Sequence, residues 1–328
     1  MGGECFMSKI LILGGAGFIG SILSQTLHEQ GDEVTIFDTL FFEPKARDFS
    51  PFRLVQDDIR KKEELEPEIK RADAVVNLAA LSNDPVSDLD PQLTWDINHA
   101  ANSVIAELCA KYGKRIVFAS SCSVYGFGQE TFHEESETNP LSLYAKTKVL
   151  SEKIYEDKAT DVVSLRFATA YGYTAKPRFD LVVNSMVGTA HFQGRLVVHG
   201  GSQWRPLVHV KDIARAIHLA IHAPTLPGRV YNIGSNEQNY QIIDLASHII
   251  EFFPDAKLGR EEENFDPRSY RVDFSKAEQE LGFRAKHTIA EAVQEFQEAF
   301  RAGKIPSMNV DEYYRVKYLK NNFVPSLK

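Results

Sequence analysis

Two residues four positions apart, Tyr144 and Lys148, carry the clearest chemistry in this sequence. They lie in a stretch with a helical pattern, where this spacing places both side chains on one face. A phenol with a pKa of about 10 is a poor base at neutral pH, but a neighbouring ammonium favours the phenolate and lowers that pKa. Ser121 lies upstream at the end of a predicted strand, where its hydroxyl can hold a substrate alcohol. Tyr-x-x-x-Lys alone is a common pattern, so a proton-abstraction site needs further signals.

A glycine-rich segment connects the first predicted strand to the first predicted helix. It has the pattern G-x-x-G-x-x-G and contains Gly14, Gly17, Phe18, Ile19 and Gly20. Glycine permits the tight turn and lets backbone amides approach a pyrophosphate at the helix N-terminus. Asp38 ends the second predicted strand, where a carboxylate accepts hydrogen bonds from the adenosine ribose and repels a 2′-phosphate. The segment predicts a dinucleotide site that takes NAD rather than NADP; otherwise Asp38 is a solvated residue at a strand end.

Short apolar strands and helical stretches alternate in the first half of the chain. The predicted strands are Lys9–Leu13, Glu33–Phe37, Phe52–Val55, Ala74–Leu78, Arg115–Ser120, Val162–Phe167 and, later, Val230–Gly234. The predicted helices are Phe18–Gln30, Pro91–Tyr112 and Leu141–Asp157. This alternation predicts an α/β fold with a parallel, doubly wound sheet. Asp58 and Ile59 follow the third strand, where a carboxylate could bond the adenine amino group, although the pair fits a simple turn equally well.

Composition and charge limit the classes of partner. The net charge of −8 argues against nucleic acid, while local arginines and a helix N-terminus can still bind an anionic small ligand. No apolar run reaches the ~18–20 residues of a membrane span, and Met1–Met7 lacks a signal-peptide pattern. Cys5, Cys109 and Cys122 fit neither a disulfide framework nor a zinc site, and the histidines show no metal spacing. We expect a cytoplasmic protein without membrane association or bound metal.

Several segments together resemble the extended short-chain dehydrogenases/reductases. They are the glycine loop, NLAA (Asn77–Ala80), ASSCSVYG around Ser121, the Tyr144/Lys148 pair, WRPLVHVKDIARAI (Trp204–Ile217), VYNIGS (Val230–Ser235) and DFSKAEQELGF (Asp273–Phe283). Within that superfamily the chain is similar to the NDP-sugar epimerases and dehydratases, over roughly Lys9 to Phe300. The resemblance implies NAD as cofactor and a nucleotide-diphosphate sugar as substrate.

The resemblance also implies roles for individual residues. Tyr144 would take a proton from a sugar hydroxyl, usually at C4; Lys148 would lower its pKa and bond the nicotinamide ribose; and Ser121 would bond the same hydroxyl. Further cofactor contacts are expected at Leu78, Ala79, Ala80 and Asn98. Substrate contacts are expected at Ser82, Ser123, Asn184, Arg205 and Arg268.

The assignments of the phosphate-binding residues have alternatives. Arg205 matches the family arginine that binds the nucleotide's phosphates, and the competing interpretation is a surface salt bridge. A second family arginine usually stands in an Arg-x-Gly-Asp context, which this chain replaces with DPRSYRV (Asp266–Val272), so Arg271 is the alternative to Arg268. Asn184 could bond a diphosphate or the sugar, or simply lie at a helix start.

The residues after Ser121 bear on which reaction follows the first oxidation. The family's 4,6-dehydratases have Asp and then Glu directly after this position, whereas this chain has Cys122 and Ser123. Dehydration is therefore disfavoured, and Cys122 fits a small core-facing residue better than an acid-base thiol. We predict NAD-dependent C4 epimerisation through a transient 4-keto sugar. The alternatives are a net NDP-sugar 4-dehydrogenase or ketoreductase, and an atypical dehydratase with the same triad.

Length and a change of pattern predict the domain organisation. The 328 residues exceed the ~250–300 of a usual single core, and loops and prolines dominate after Tyr171. We predict a Rossmann NAD-binding domain over residues 1–176 with a return segment at about 206–236. A smaller, discontinuous C-terminal α/β substrate domain would comprise residues 177–205 and 237–328.

A homodimer is a further expectation from the resemblance. Resembling proteins pair the helices that correspond to Pro91–Tyr112 and Leu141–Asp157 into a four-helix bundle. Ile105, Val149 and Ile154 are the apolar candidates for that contact, although the same residues could face the sheet.

Overall fold

The computed structural model describes residues 7–43, 47–262, 266 and 268–322. In chain order the strands are β1 (Lys9–Leu13), β2 (Glu33–Asp38), β3 (Arg53–Gln56), β4 (Ala74–Asn77), β5 (Arg115–Ser121), β6 (Phe127–Phe132), β7 (Val162–Phe167), β8 (Thr169–Tyr171), β9 (Arg195–His199), β10 (Trp204–His209), β11 (Val230–Ile233), β12 (Asn239–Gln241), β13 (Lys257–Glu261) and β14 (Ser269–Val272). The helices are α1 (Phe18–Glu29), α2 (Lys62–Arg71), α3 (Asp84–Ser87), α4 (Pro91–Trp95), α5 (Ala101–Tyr112), α6 (Leu143–Lys158), α7 (Val182–Gln193), α8 (Val210–His222), α9 (Ile242–Ile250), α10 (Ser275–Leu281), α11 (Ile289–Arg301) and α12 (Arg315–Asn322).

A seven-stranded parallel sheet with the order β11-β7-β5-β4-β1-β2-β3 forms the centre of the first half. Strands β4 and β7 are buried along their whole length, because helices cover both faces of the sheet. Helices α1 and α8 pack on one face, and α2, α5 and α6 pack on the other. The predicted doubly wound parallel sheet is confirmed, and so is the late strand, which pairs with β7 as β11.

The sheet topology places a ligand crevice at one edge. The strand order reverses between β1 and β4, and ligands of open parallel sheets bind at such a switch point, outside the carboxyl ends of the strands. The glycine loop follows β1, and the NLAA segment follows from β4 at the same edge.

The helical stretch predicted over Pro91–Tyr112 is interrupted by a π-helical turn at Asp96–Ala100. The wider turn leaves the Asn98 carbonyl to accept hydrogen bonds from Asn102 Nδ2 at 2.6 Å and Ser151 Oγ at 2.9 Å. Since Ser151 lies on α6, the interruption ties the two predicted helices together.

A second apolar cluster lies outside the large sheet. It joins α7, α9 and α11 through residues such as Val187, Leu245 and Phe296. Small sheets of β8, β10 and β12, of β9 and β13, and of β6 and β14 accompany it. The division of the chain into two domains, with the bounds given above, stays a prediction.

The apolar residues suggested for a dimer contact face the core of their own chain. Ile105 is fully buried, and Val149 and Ile154 pack against the sheet-side clusters. A homodimer therefore stays a prediction without support from these three residues. Among the described residues, no helix has both the length and the apolar character of a membrane span.

Candidate active site

A cavity of about 940 Å³ lies at the carboxyl ends of the central strands. It brings together most of the residues that the sequence predicts for the site. Its lining includes Gly14, Gly17, Phe18, Ile19, Gly20, Asp38, Asp58, Ile59, Leu78, Ala79, Ala80, Ser82, Ser121, Ser123, Tyr144, Arg205 and Arg268.

The glycine loop packs so closely against the segment after β4 that a side chain at Gly14 would not fit. Gly14 has a φ of +77°, and a Cβ atom there would lie 2.7 Å from the backbone nitrogen of Ala79. Helix α1 begins directly after Gly17, and no side chain caps its first turn. Its first N–H groups are thus available to an anionic ligand, and the loop leaves room for a dinucleotide's diphosphate.

Asp38 ends β2 beside this loop. Its carboxylate accepts hydrogen bonds from the backbone nitrogens of Ala16 at 3.0 Å and Leu40 at 2.8 Å. Burial raises the pKa of Asp38, and these two hydrogen bonds oppose the rise. Because a carboxylate has about four acceptor positions, the group can still accept ribose hydroxyls.

Asp58 takes part in a turn and also faces the cavity. It accepts hydrogen bonds from the Arg60 backbone nitrogen at 2.9 Å and from the Arg60 guanidinium at 2.7 Å. The turn is therefore observed, whereas the contact with adenine stays a prediction, and Ile59 beside it is buried.

Ser121 and Tyr144 meet at the cavity wall. Ser121 is the last residue of β5, and Tyr144 is the second residue of α6, whose N-cap Ser142 accepts a hydrogen bond from Ala145. The Ser121 hydroxyl acts to lower the pKa of the Tyr144 phenol, and it accepts a hydrogen bond from the Ser123 backbone nitrogen at 3.1 Å. Lys148 lies behind them, 97% buried, with Nζ 5.6 Å from the centroid of the Tyr144 ring.

The electrostatics of this pair differ from the expectation. Burial raises the pKa of Tyr144, and the Ser121 hydrogen bond and the Arg178 charge only oppose that rise. Burial also lowers the pKa of Lys148 to about 8, against the opposing charge of Glu152. The pKa of Tyr144 is therefore raised rather than lowered as predicted, because desolvation outweighs the contributions of Ser121 and Arg178.

Two predicted ligand-binding asparagines are bonded to backbone instead. Asn98 accepts from the Leu81 nitrogen at 2.8 Å and donates to the Leu81 carbonyl at 3.1 Å, so it shapes the loop after β4. Asn184 is fully buried in the first turn of α7, and its amide bonds the nitrogen and the carbonyl of Gly172. The structure thus favours the interpretation of Asn184 as a residue near a helix start.

The residues after Ser121 point in different directions. Cys122 is fully buried, its sulfur donates to the Arg166 carbonyl at 3.2 Å, and burial raises its pKa well above the ordinary value. It is a core residue, as predicted from the sequence. Ser123 lines the cavity, and its buried hydroxyl has no hydrogen-bond partner within the described part of the chain.

The arginines of the cavity form a charged wall. Arg205 Nη2 lies 2.8 Å from Asp266, and Arg268 pairs with Asp266 and Asp84. Arg271 instead donates to the Gln129 carbonyl at 2.6 Å and lies over the Trp204 ring. Of the two alternatives from the sequence, Arg268 is the one in the cavity.

Several charged residues of the cavity were not predicted as site residues, among them Arg178, Asp84 and Arg315. Arg178 donates to Ser82 Oγ at 3.1 Å and pairs with Asp180. Asp84 lies between Ser142 and Arg268. Arg315 comes from the C-terminal helix α12, which returns to the cavity from the end of the chain. The segments around Arg178 and Asp84 read as loops, and α12 is a short polar helix far along the sequence.

Comparison with known proteins agrees with this architecture. Residues 10–234 match the NAD dependent epimerase/dehydratase family, and the chain belongs to that family. It is thus an NAD-dependent enzyme of the extended short-chain dehydrogenase/reductase type.

Three similar proteins illustrate the range of the family. A UDP-glucose 4-epimerase of Lactobacillus helveticus is 27% identical, over 85% of this chain and 92% of its own. The structure of MoeE5 in complex with UDP-glucuronic acid and NAD is 28% identical, with a TM-score of 0.79, and covers 90% of this chain and 99% of its own. The structure of TunA, an NAD-dependent NDP-hexosamine 5,6-dehydratase, is 26% identical, with a TM-score of 0.79, and covers 90% and 98%.

Proposed function

We propose that this enzyme interconverts C4 epimers of a nucleotide-diphosphate sugar through a transient 4-keto sugar. The observation that carries the proposal concerns the two residues that follow Ser121. Tyr144 and Ser121 line the cavity, but Cys122 offers only a buried thiol and Ser123 only a hydroxyl. Neither can act as the acid and base that removes water. The similarity to a UDP-glucose 4-epimerase supports the same reaction.

The residues of the cavity fit a bound NAD. Gly14 and Gly17 leave space at the start of α1, and Asp38 offers acceptors for the ribose hydroxyls. When bound, NAD supplies the acceptor and the donor of the hydride. We expect a soluble, cytoplasmic homodimer with a nucleotide-sugar substrate and no nucleic-acid partner.

Tyr144 is the proposed general base. Its phenol and the Ser121 hydroxyl line the same cavity, so a sugar hydroxyl that enters between them would be held next to both oxygens. In this proposal Tyr144 acts as the phenolate: it takes the hydroxyl proton during oxidation and returns it to the same oxygen after the hydride arrives on the opposite face. Because burial raises the pKa of Tyr144, its deprotonation depends on the positive charges of Lys148 and of bound NAD⁺. Lys148 places its positive charge behind the Tyr144 ring.

The sugar must turn between the two half-reactions, because the hydride has to reach both faces of C4. Arg205 and Arg268 lie in the charged wall of the cavity and would hold the diphosphate during this movement. Ser123, with its unpartnered hydroxyl, can bond the sugar but cannot serve as a base at neutral pH.

One observation favours a second candidate. TunA, a dehydratase, matches 90% of this chain with a TM-score of 0.79, so an atypical dehydratase that uses the same triad is the alternative. A net 4-dehydrogenase or ketoreductase would also use these three residues.

The test is incubation of the purified protein and NAD with UDP-, GDP-, dTDP- and CDP-sugars, followed by mass spectrometry, chromatography of the C4 epimers and absorbance of NADH. An epimer of unchanged mass without net NADH is expected. Loss of the mass of water would indicate a dehydratase, and loss of two hydrogens with NADH would indicate a dehydrogenase. Either result, or no C4 epimer from any sugar with NAD bound, contradicts the proposal.

A further inference from the structure

The C-terminal helix α12 places a buried guanidinium in the wall of the cavity. Arg315, its first residue, is 95% buried and lines the same cavity as the glycine loop and Tyr144. Its Nη1 atom is inaccessible to solvent and has no hydrogen-bond partner within the residues that the structure describes. A buried donor without an acceptor is costly, and a charged one more so. The group is therefore poised for an acceptor that enters the cavity.

The described neighbours of Arg315 position its side chain but provide no hydrogen-bond acceptor for its Nη1 atom. Its guanidinium lies 4.1 Å from the centroid of the Phe42 ring, and its backbone nitrogen is 3.4 Å from Asp180 Oδ2. Burial lowers the pKa of Arg315 to about 10, Arg178 adds to that effect, and Asp180, Asp38 and Glu43 oppose it. The group stays charged at neutral pH, so it offers a positive charge as well as hydrogen bonds.

The position of Arg315 indicates which part of a ligand it meets. The guanidinium contacts Phe42 in the loop that follows Asp38, at the proposed adenosine-ribose end of the cavity. Its other neighbour, Asp180, pairs with Arg178, which reaches Ser82 toward the proposed reactive end. A dinucleotide that spans these two ends has its diphosphate between them, above the start of α1. A guanidinium suits a diphosphate because it can bind two oxygens at once.

We propose that Arg315 binds the diphosphate of NAD from the side opposite the glycine loop, so that α12 completes the cofactor site. This rests on NAD as the cofactor and not on the C4 reaction.

Helix α12 is anchored well enough for this role. Leu319 packs in an apolar cluster with Leu81, Val86 and Leu93, and the Tyr318 hydroxyl donates to the Phe41 carbonyl at 3.0 Å. Leu81 and Phe41 belong to the loops that follow β4 and β2, so the helix joins two cofactor-facing loops. We therefore expect a cofactor held between this helix and the glycine loop to be released slowly.

The test compares Arg315→Leu and Arg315→Lys with Lys320→Leu in the full-length protein. Lys320 is exposed on the same helix, so its variant loses the same charge without touching the cavity. The rate of NAD release from the holoenzyme is measured first, and then the affinities for NAD, ADP, adenosine and UDP. Thermal unfolding without ligand reports whether each variant is folded.

We expect Arg315→Leu to weaken the binding of NAD and of ADP by roughly tenfold to a hundredfold, which is the range for hydrogen bonds to charged groups. Adenosine and UDP should change less than about twofold, Arg315→Lys should fall between the extremes, and Lys320→Leu should match the natural protein. Unchanged NAD affinity in a folded variant overturns the proposal. A selective loss of affinity for UDP also overturns it, because the guanidinium would then contact the substrate. An equal loss of affinity for adenosine overturns it as well, because it would indicate a structural role. Since no readout requires turnover, failure here is distinguishable from failure of the proposed reaction.

Discussion

The ammonium of Lys148 donates a hydrogen bond to the backbone carbonyl of Ala119 at 2.6 Å, and so joins α6 to β5 two residues before Ser121. The same Nζ atom lies 4.8 Å from the centroid of the Phe118 ring. A lysine enclosed by a carbonyl and two aromatic rings is shielded from water, so its positive charge has a desolvation cost in free energy. Its protonation is therefore coupled to the stability of the fold.

We predict that replacing Lys148 with Met has an effect on stability that depends on pH. Burial lowers the pKa of Lys148 to about 8, while an unfolded lysine titrates at about 10.4. Below pH 8 both states are protonated and burial of the charge is fully unfavourable. Between these values the folded state loses its proton first, so stability rises with pH. The unfolding midpoint of the natural protein minus that of Lys148→Met should therefore increase from about pH 7 to about pH 10. Lys146→Met, exposed on the same helix, should show no such trend, and an equal trend in both variants would refute the assignment.

We predict that Tyr144→Phe loses turnover but keeps the cofactor. The variant lacks the proposed base, and removal of a general base typically costs about 10²- to 10⁴-fold in rate. Turnover of the nucleotide sugar and the NAD content of the purified protein are the two measurements. Tyr112→Phe is the matched control, because the Tyr112 hydroxyl bonds Glu66 far from the cavity. A Tyr144→Phe enzyme with nearly natural turnover would remove Tyr144 from the mechanism.

Arg268 and Arg271 provide a paired test of substrate binding. Arg268 lines the cavity, whereas Arg271 donates to Gln129 outside it. We expect Arg268→Leu to raise KM by roughly tenfold or more, because it removes charged hydrogen bonds to the diphosphate. Arg271→Leu should leave KM within about twofold of the natural value. Steady-state kinetics decides, and the reverse order of effects would assign the phosphate to Arg271.

Asn184→Ala should destabilise the protein without weakening substrate binding. The side-chain amide bonds both the nitrogen and the carbonyl of Gly172, so its loss leaves buried backbone groups unsatisfied, at a cost of about 1–3 kcal/mol. Denaturant unfolding and KM are measured together, with the exposed Asn321→Ala as the control. A tenfold rise in KM at unchanged stability would instead show that the amide reaches the substrate.

The elements of the large sheet were predictable because buried parallel strands are continuous apolar runs. Lys9–Leu13 and Val162–Phe167 are strands over the predicted residues. The stretch Pro91–Tyr112 was only partly predictable. The residues of its π turn, Asp96–Ala100, do not differ in pattern from an ordinary helix, and the Ser151 hydroxyl that stabilises the turn comes from a distant helix.

Residues of the candidate site were likewise predictable where local sequence determines their positions, and not where distant contacts do. Gly14 and Asp38 could be placed from local sequence, because a strand, a turn and a helix determine their positions. Asn184 could not, since a buried amide that bonds backbone looks the same in sequence as one that bonds a ligand. Arg315 could not either, because its place in the cavity depends on the return of α12 to loops made more than half the chain earlier.

The pairing of β11 with β7 has a consequence for synthesis on the ribosome. The edge of the large sheet is covered by Val230–Ile233 only after α7 and the strands around β10 have been made. Until then β7 presents an open row of backbone donors and acceptors, which favours pairing with other chains. The nascent protein therefore carries an unprotected edge while the segment between Phe167 and Val230 is made, and we expect a chain cut before β11 to aggregate more readily than the full-length protein.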